Sequence, residues 1–177
     1  EDIREECGAD AIGLAAAVEA GSDHPVARAI RRHAASVGTE AKGAVHAEEL
    51  AGLGMKGTCE GEDVLVGNEA LLASEGVYLD PSRREAAADG AGRGETVVFV
   101  ARARDVCGMI RLGDALREDM PQAVADLKAR GIEVHLLSGD TERATGYVAG
   151  LLGVDRFKGG VLPEDKVEWI RRLQRAG

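Results

Sequence analysis

His24 stands in Ser22-Asp23-His24-Pro25, directly before a helix-like Val-Ala-Arg-Ala-Ile, with Glu19 five residues upstream. A flat imidazole beside a carboxyl group suits a nucleobase. The ring can stack on the base, a contact worth roughly 1–3 kcal/mol, and the carboxyl can accept a hydrogen bond from the base or the imidazole. The same tetrapeptide also reads as a plain helix start, with His24 a capping residue without chemistry. Gly52 and Gly54, in Gly-Leu-Gly-Met-Lys-Gly, follow a strand-like run. Glycines there let the backbone approach a ligand and leave N–H groups for phosphate or ribose oxygens; a structural hairpin turn accounts for them as well. The spacing is neither Gly-x-Gly-x-x-Gly before a long helix nor Gly-x-x-x-x-Gly-Lys-Ser/Thr, which excludes the dinucleotide fingerprint and the P-loop. Gly67-Asn68, after Val-Leu-Val, marks a strand end that favours positive φ, either a turn or a wall of the same pocket.

The last third of the chain carries groups suited to phosphate. Ser138-Gly139-Asp140 follows His-Leu-Leu and precedes a helix. Backbone amides at a helix N-terminus plus a hydroxyl form an anion site, a reading compatible with a simple N-cap by Asp140 or Thr141. Lys166, after Leu-Pro-Glu-Asp, opens a helix and so opposes its macrodipole. Binding phosphate as a point charge is one reason for that placement, and ordinary solvation is the other. Asp114 and Arg117, in Gly-Asp-Ala-Leu-Arg, lie at a strand-to-helix switch. Capping explains the aspartate but not the arginine paired with it.

The elements that must position these residues fall into two textures. Residues 9–20 predict a helix, stopped by Gly21 and Ser22. Ser22 or Asp23 is expected to cap the next, with Pro25 in its first turn and its end near Ser36. Short strands are predicted over 45–50, 54–59 and 63–66, short helices over 68–74 and 80–89, and strands over 96–102 and 107–112. The turn between those last two falls at Arg104-Asp105, and 89–94 reads as a flexible glycine-rich loop. After Asp114 the texture is α/β: helices over 117–130 and 141–152, closed by Gly131 and Gly153, a strand over 132–137, and a helix from Lys166. Ligands of such a doubly wound arrangement sit at the carboxyl ends of the strands.

Composition narrows the function. Hydrophobic residues make up 45% and aromatics 3%, so the core must be built from Ala, Val, Leu and Ile. The net charge of −9, spread along the chain, argues against nucleic-acid binding. Cys7, Cys59 and Cys107 lie far apart with no Cys-x-x-Cys, which predicts neither structural zinc nor a disulfide framework. No apolar run approaches the ~18 residues that span a bilayer, so the chain is expected to be soluble and monomeric, any spans of a parent lying outside it.

Taken together and in this order, the motifs resemble those of heavy-metal-transporting P-type ATPases, over essentially the whole chain. The resemblance implies an α+β nucleotide-binding domain, an antiparallel sheet with flanking helices, at residues 1–106. This domain is inserted in an α/β haloacid-dehalogenase-like (Rossmann-like) phosphorylation domain, present in part at 107–177. By resemblance, Glu19 and His24 contact the adenine end of ATP, and Gly52, Gly54, Gly67 and Asn68 line the same pocket. Ser138, Gly139 and Asp140 look like the family's Thr-Gly-Asp, Lys166 like the lysine that neutralises the transferred phosphoryl group, and Asp114 and Arg117 like its Asp-x-x-Arg. Asp23 replaces the usual glutamate.

Two family motifs do not occur in the sequence: Asp-Lys-Thr-Gly-Thr, which carries the phosphorylated aspartate, and Gly-Asp-Gly-x-Asn-Asp, which binds magnesium. The expectation is therefore ATP binding without turnover for this chain, with most Mg2+ ligands outside it. The parent is expected to be a bacterial plasma-membrane exporter with transmembrane and actuator domains, driven by ATP through an aspartyl-phosphate. Leu-Pro-Glu-Asp-Lys-Val-Glu looks closer to zinc/cadmium/lead or cobalt exporters than to copper ones. The alternatives are a haloacid-dehalogenase-type phosphatase fragment, whose Asp-x-Asp loop is missing, and a non-catalytic nucleotide-binding module. Without further strands, 107–177 is expected to hold part of a parallel sheet with unpaired edges.

Overall fold

The computed structural model describes residues 2–7, 9–39, 43–113 and 116–176. They form two compact units, Glu1–Ala88 with Glu95–Asp114, and Asp89–Gly94 with Ala115–Gly177.

The first unit is built on a six-stranded sheet, β1 (Asp2–Cys7), β2 (Ala44–Leu50), β3 (Gly54–Cys59), β4 (Glu62–Gly67), β5 (Thr96–Arg102) and β6 (Asp105–Gly113), in the order β1-β6-β5-β4-β3-β2. Every neighbouring pair is antiparallel. Helices α1 (Ala9–Val18) and α2 (Pro25–Ser36), joined by a 3-10 turn over Glu19–Gly21, and helices α3 (Glu69–Ser74) and α4 (Pro81–Gly92) complete the elements. Successive strand residues point to opposite faces, and here both faces of the central strands are covered. Val64, Val66, Val98, Val100, Ile110 and Leu112 pack with Ile12, Leu14 and Ile30 of α1 and α2. Leu65, Phe99 and Met109, on the alternate positions, pack with Leu71 and Leu72 of α3. That double coverage is why these strands read as apolar runs rather than as alternating patterns. Helix α1 is buried from Ala11 to Val18, and its alanines let it lie close to its neighbours.

Several boundaries differ from expectation. The edge strand β1 was not anticipated: Asp-Ile-Arg-Glu-Glu-Cys lacks an apolar pattern, and backbone pairing with β6, from Asp2↔Gly113 to Cys7↔Gly108, defines it. Because β6 lies between β1 and β5, residues 107–113 are bonded into the first unit's sheet. The β5–β6 turn is formed by Ala103 and Arg104, both at positive φ (49° and 71°). Helix α4 runs through to Gly92, so most of the stretch expected to be a glycine-rich loop is helical.

The second unit contains α5 (Met120–Ala129), β7 (His135–Leu137), α6 (Glu142–Leu152), β8 (Arg156–Lys158) and α7 (Pro163–Ala176), with β7 and β8 parallel. The expected strand over 132–137 is formed only at its last three residues. Strand β8, Arg-Phe-Lys, carries no apolar pattern of its own and is set by its pairing with β7. The core of this unit gathers Val124, Ala149, Leu152 and Val154. Among the described residues no helix is long and apolar enough to cross a membrane.

Candidate functional site

His24 is itself the N-cap of α2, in place of the expected Ser22 or Asp23. Its backbone is extended (φ −59°, ψ 141°), and the Val26 amide donates to its Nδ1 at 3.3 Å. Pro25, at the first helical position, has no N–H to satisfy, so the first free donor lies two residues beyond His24, within reach of the imidazole. With Nδ1 accepting, the ring proton resides on Nε2. The His24 amide in turn donates to Ser22 Oγ at 3.3 Å. Capping and ligand contact are compatible, since the ring remains exposed.

Glu19 begins the 3-10 turn and is only 6% exposed. Burial pushes its carboxyl above the ordinary range, against weaker opposite effects from the Ser22 hydroxyl, His24 and Arg31. Charged acids are rarely buried this deeply without a partner. A carboxyl donates a hydrogen bond only while protonated, and burial extends the pH range over which Glu19 keeps its proton.

The opposite wall is backbone. Gly54 (φ 141°) pairs with Gly67 across β3 and β4. A Cβ on Gly54 would fall on the Val66 carbonyl oxygen, and one on Gly67 on the Leu53 carbonyl oxygen and a Leu71 methyl. Gly52, at φ 73°, makes the turn before them. Asn68 bolts this turn to α3: its amide donates to the Leu53 carbonyl (2.9 Å), its Nδ2 donates to the Gly52 carbonyl (2.9 Å), and its Oδ1 accepts from the Leu71 amide (3.0 Å). Both ends of the Asn68 side chain are thereby committed to structure.

These six residues line one cavity of about 290 Å³, near the lower end of small-molecule clefts. Glu49 and Leu50 of β2 and Thr96, Val97 and Val98 of β5 line it too. Thr96, Val97 and Val98 carry only a strand pattern in the sequence; their place in the wall follows from β5 lying beside β4.

In the second unit, Ser138 Oγ donates to Asp140 Oδ2 at 2.7 Å and accepts from the Asp140 amide at 3.2 Å. Thr141 is the cap of α6, accepting from the Ala144 amide at 3.2 Å. The Ser138 amide donates to the Lys158 carbonyl, and the Val161 amide to the Ser138 carbonyl, at 3.0 and 2.9 Å. These bonds join the loops leaving the carboxyl ends of parallel β7 and β8, where doubly wound folds hold ligands. Lys166 lies near the start of α7, which begins from the second of those loops, and is partly buried. Helix α5 starts at Met120 rather than at Arg117, whose guanidinium forks onto Asp119 (3.1 and 2.7 Å) at the surface. That fork occupies the Asp119 carboxylate, which makes no side-chain cap. Asp114 lies outside the described residues. Among the described residues no group of three or more His, Cys, Asp or Glu is gathered to hold a metal ion, so they assemble no set of carboxylates for Mg2+.

An antiparallel α+β unit with a glycine-walled cavity, and a second unit of parallel strands whose loops hold Ser-Gly-Asp, define the class. Residues 3–177 match the haloacid dehalogenase-like hydrolase family, and the chain belongs to it. Within that class its relatives are heavy-metal P-type ATPases. The chain is 40% identical over 163 residues (90% of this chain, 21% of the relative) to the zinc/cadmium/lead-transporting P-type ATPase of Shigella sonnei. It is 35% identical over 164 residues (93% and 21%) to the probable copper-exporting P-type ATPase V of Mycobacterium tuberculosis. It superposes on a crystal structure of a zinc-transporting PIB-type ATPase in the E2.Pi state with a TM-score of 0.85 at 34% identity, covering 100% of this chain and 29% of that one. The chain spans about a fifth of the length of the curated relatives it matches.

Proposed function

We propose that this chain is the ATP-binding part of a heavy-metal-cation P-type ATPase, in which the first unit holds the base and the second the phosphoryl end. The observation that carries the reading is the convergence of Glu19, His24, Gly52, Gly54, Gly67 and Asn68 on one cavity. The residues present fit the ligand. The imidazole of His24 offers a stacking face, and the buried carboxyl of Glu19 offers hydrogen-bonding oxygens to the edge of a purine. The glycine wall, where a Cβ on Gly54 or Gly67 would meet backbone, lets the chain approach ribose and phosphate closely. Ser138, Gly139, Asp140 and Lys166 are proposed for the phosphoryl end, Lys166 supplying a point charge and the 138–140 loop leading into the α6 N-terminus. Asp114 and Arg117 are proposed for the same domain on resemblance alone. Bound ATP supplies the transferable phosphoryl group, and Mg2+ would be held by donors beyond the described residues.

For the whole protein, the proposal is ATP-driven export of heavy-metal cations through an aspartyl-phosphate, with transmembrane and actuator domains as partners of this cytoplasmic part. Zinc, cadmium, lead or cobalt is favoured over copper. Support comes from Leu-Pro-Glu-Asp-Lys-Val-Glu and from 40% identity to a zinc/cadmium/lead transporter against 35% to a copper exporter. A bacterial plasma membrane is the proposed setting. The sequence contains no Asp-Lys-Thr-Gly-Thr, so this chain alone is proposed to bind ATP without forming the phosphoenzyme.

The test is an ATP titration followed by amide chemical shifts in wild type and His24→Gln. Shifts should cluster within residues 19–68, and His24→Gln should weaken binding about tenfold, the loss of one base stack. Absence of perturbation there would sink the pocket assignment, and equal affinities would remove His24 from it. A hydroxylamine-labile phosphoprotein formed from labelled ATP would contradict the claim of incompleteness. Turnover of p-nitrophenyl phosphate would favour a free-standing phosphatase instead.

A further inference from the structure

Arg31 was not singled out by any motif, and it does not line the cavity. It lies on α2 seven residues beyond the cap His24. Side chains on a helix lean toward its N-terminus, so the guanidinium reaches back along α2 to the segment preceding it. There Nη1 donates to two backbone carbonyls, those of Glu19 and of Ser22 (2.8 Å to the latter). The Glu19 carbonyl also accepts from the Ser22 amide at 3.1 Å. The clamp thus grips both ends of the short turn that leaves α1.

We infer that Arg31 is a positioning residue for base binding, fixing the Glu19–His24 segment so that a buried carboxyl and an imidazole face the same cavity. The inference rests on the ATP reading given above. Three features support it. The two bonded carbonyls belong to Glu19 itself and to Ser22, whose hydroxyl accepts from the His24 amide, so one guanidinium orders the carriers of both side chains. Residues Ser22–His24 belong to no helix or strand, and the bonds that hold them are therefore local and few. Both Nη1 hydrogens are engaged by the chain and Arg31 does not line the cavity, so its role is to act through other residues. A guanidinium suits this task because it is a charged, rigid fork, while carbonyls at a helix end lack intrahelical partners.

The experiment compares wild type with Arg31→Met, which keeps the aliphatic stem, Arg31→Gln, which keeps a donor should the first variant not fold, and Arg31→Lys, which keeps charge and donors. Arg31→Met should weaken ATP and adenosine by the same factor, about tenfold, the scale of a charge-assisted hydrogen bond. Arg31→Lys should recover most of that loss. Adding His24→Gln to Arg31→Met should cost little more, because the two residues act as one unit. Unchanged ATP affinity in a folded Arg31→Met protein overturns the inference. So does a loss for ATP without one for adenosine, the mark of a direct phosphate contact. Hydrogen exchange at the Ser22 and Val26 amides reads the clamp without nucleotide: it should accelerate in Arg31→Met, and unchanged exchange overturns the inference. Wild-type protein that binds no ATP overturns the reading beneath it, and the exchange result tells that failure apart from failure of the clamp.

Discussion

At the scale of single residues, Glu19 is the most consequential side chain in the first unit. It is an acid placed where an apolar residue would cost less. Its carboxyl is held above the ordinary value near 4.5 chiefly by burial, so the folded chain keeps this proton to higher pH than the unfolded one does. The associated stability is fully present below the unfolded value and is lost as pH rises through the raised one. Glu19→Gln stays neutral throughout. The variant's unfolding free energy relative to wild type should therefore grow as pH is raised from about 4.5 toward neutrality, read by urea denaturation at several pH values. A relative stability that falls over that range would mean that the fold favours the carboxylate. His24 shows the complementary case. Sequence offered either a cap or a base-stacking ring, and the structure has it cap α2 through Nδ1 while lining the cavity. The proline that follows made this possible, and that signal was present in the chain.

Elements were legible to the extent that their pattern was local. Strands β4 and β5 announced themselves as β-branched runs, β3 by its bounding glycines, and α1 and α2 as stretches of helical periodicity. Strand β1 did not, because an edge strand of polar residues is made by its partner's backbone. Strand β8 failed for the same reason, at three residues long. The start of α5 was misplaced because Arg117 and Asp119 satisfy each other before the helix begins. The tight pairing of Gly54 with Gly67 belongs to this scale as well. Gly54→Ala or Gly67→Ala would drive a methyl into a backbone carbonyl. Each should destabilise the first unit by about 2–4 kcal/mol, seen as a lowered thermal midpoint. Substitution of Gly61, in the turn at the other end of this strand pair, around which an added Cβ meets nothing within 4 Å, should cost less and arise from its positive φ alone. Equal losses at the two kinds of site would show that close approach is not what selects glycine between β3 and β4.

For the molecule as a whole, the two units differ in how much they bury. The first unit has apolar clusters on both faces of its sheet. Among the described residues the second has one small apolar cluster, around Val124, Ala149, Leu152 and Val154, and α7 leaves Val167, Ile170 and Leu173 substantially exposed. Burial is the main favourable contribution to folding. Amides of residues 116–176 should therefore exchange at lower denaturant than those of β4–β6, by native-state hydrogen exchange. A single transition with equal protection in both units would show the second to be as stable as the first. By itself the sequence determined which chemical groups are present, their order, the type of most elements and the family to which they belong. These follow from residue identity and from periodicities of two and about three and a half residues, which need no knowledge of distant contacts. Only the tertiary structure decided that β2 and β5 complete the cavity wall, that β6 belongs with β1 and β5, and that Arg31 holds the loop between α1 and α2. Each of those depends on strand register and on packing between segments far apart in the chain, and no local pattern of residues encodes the distance between them.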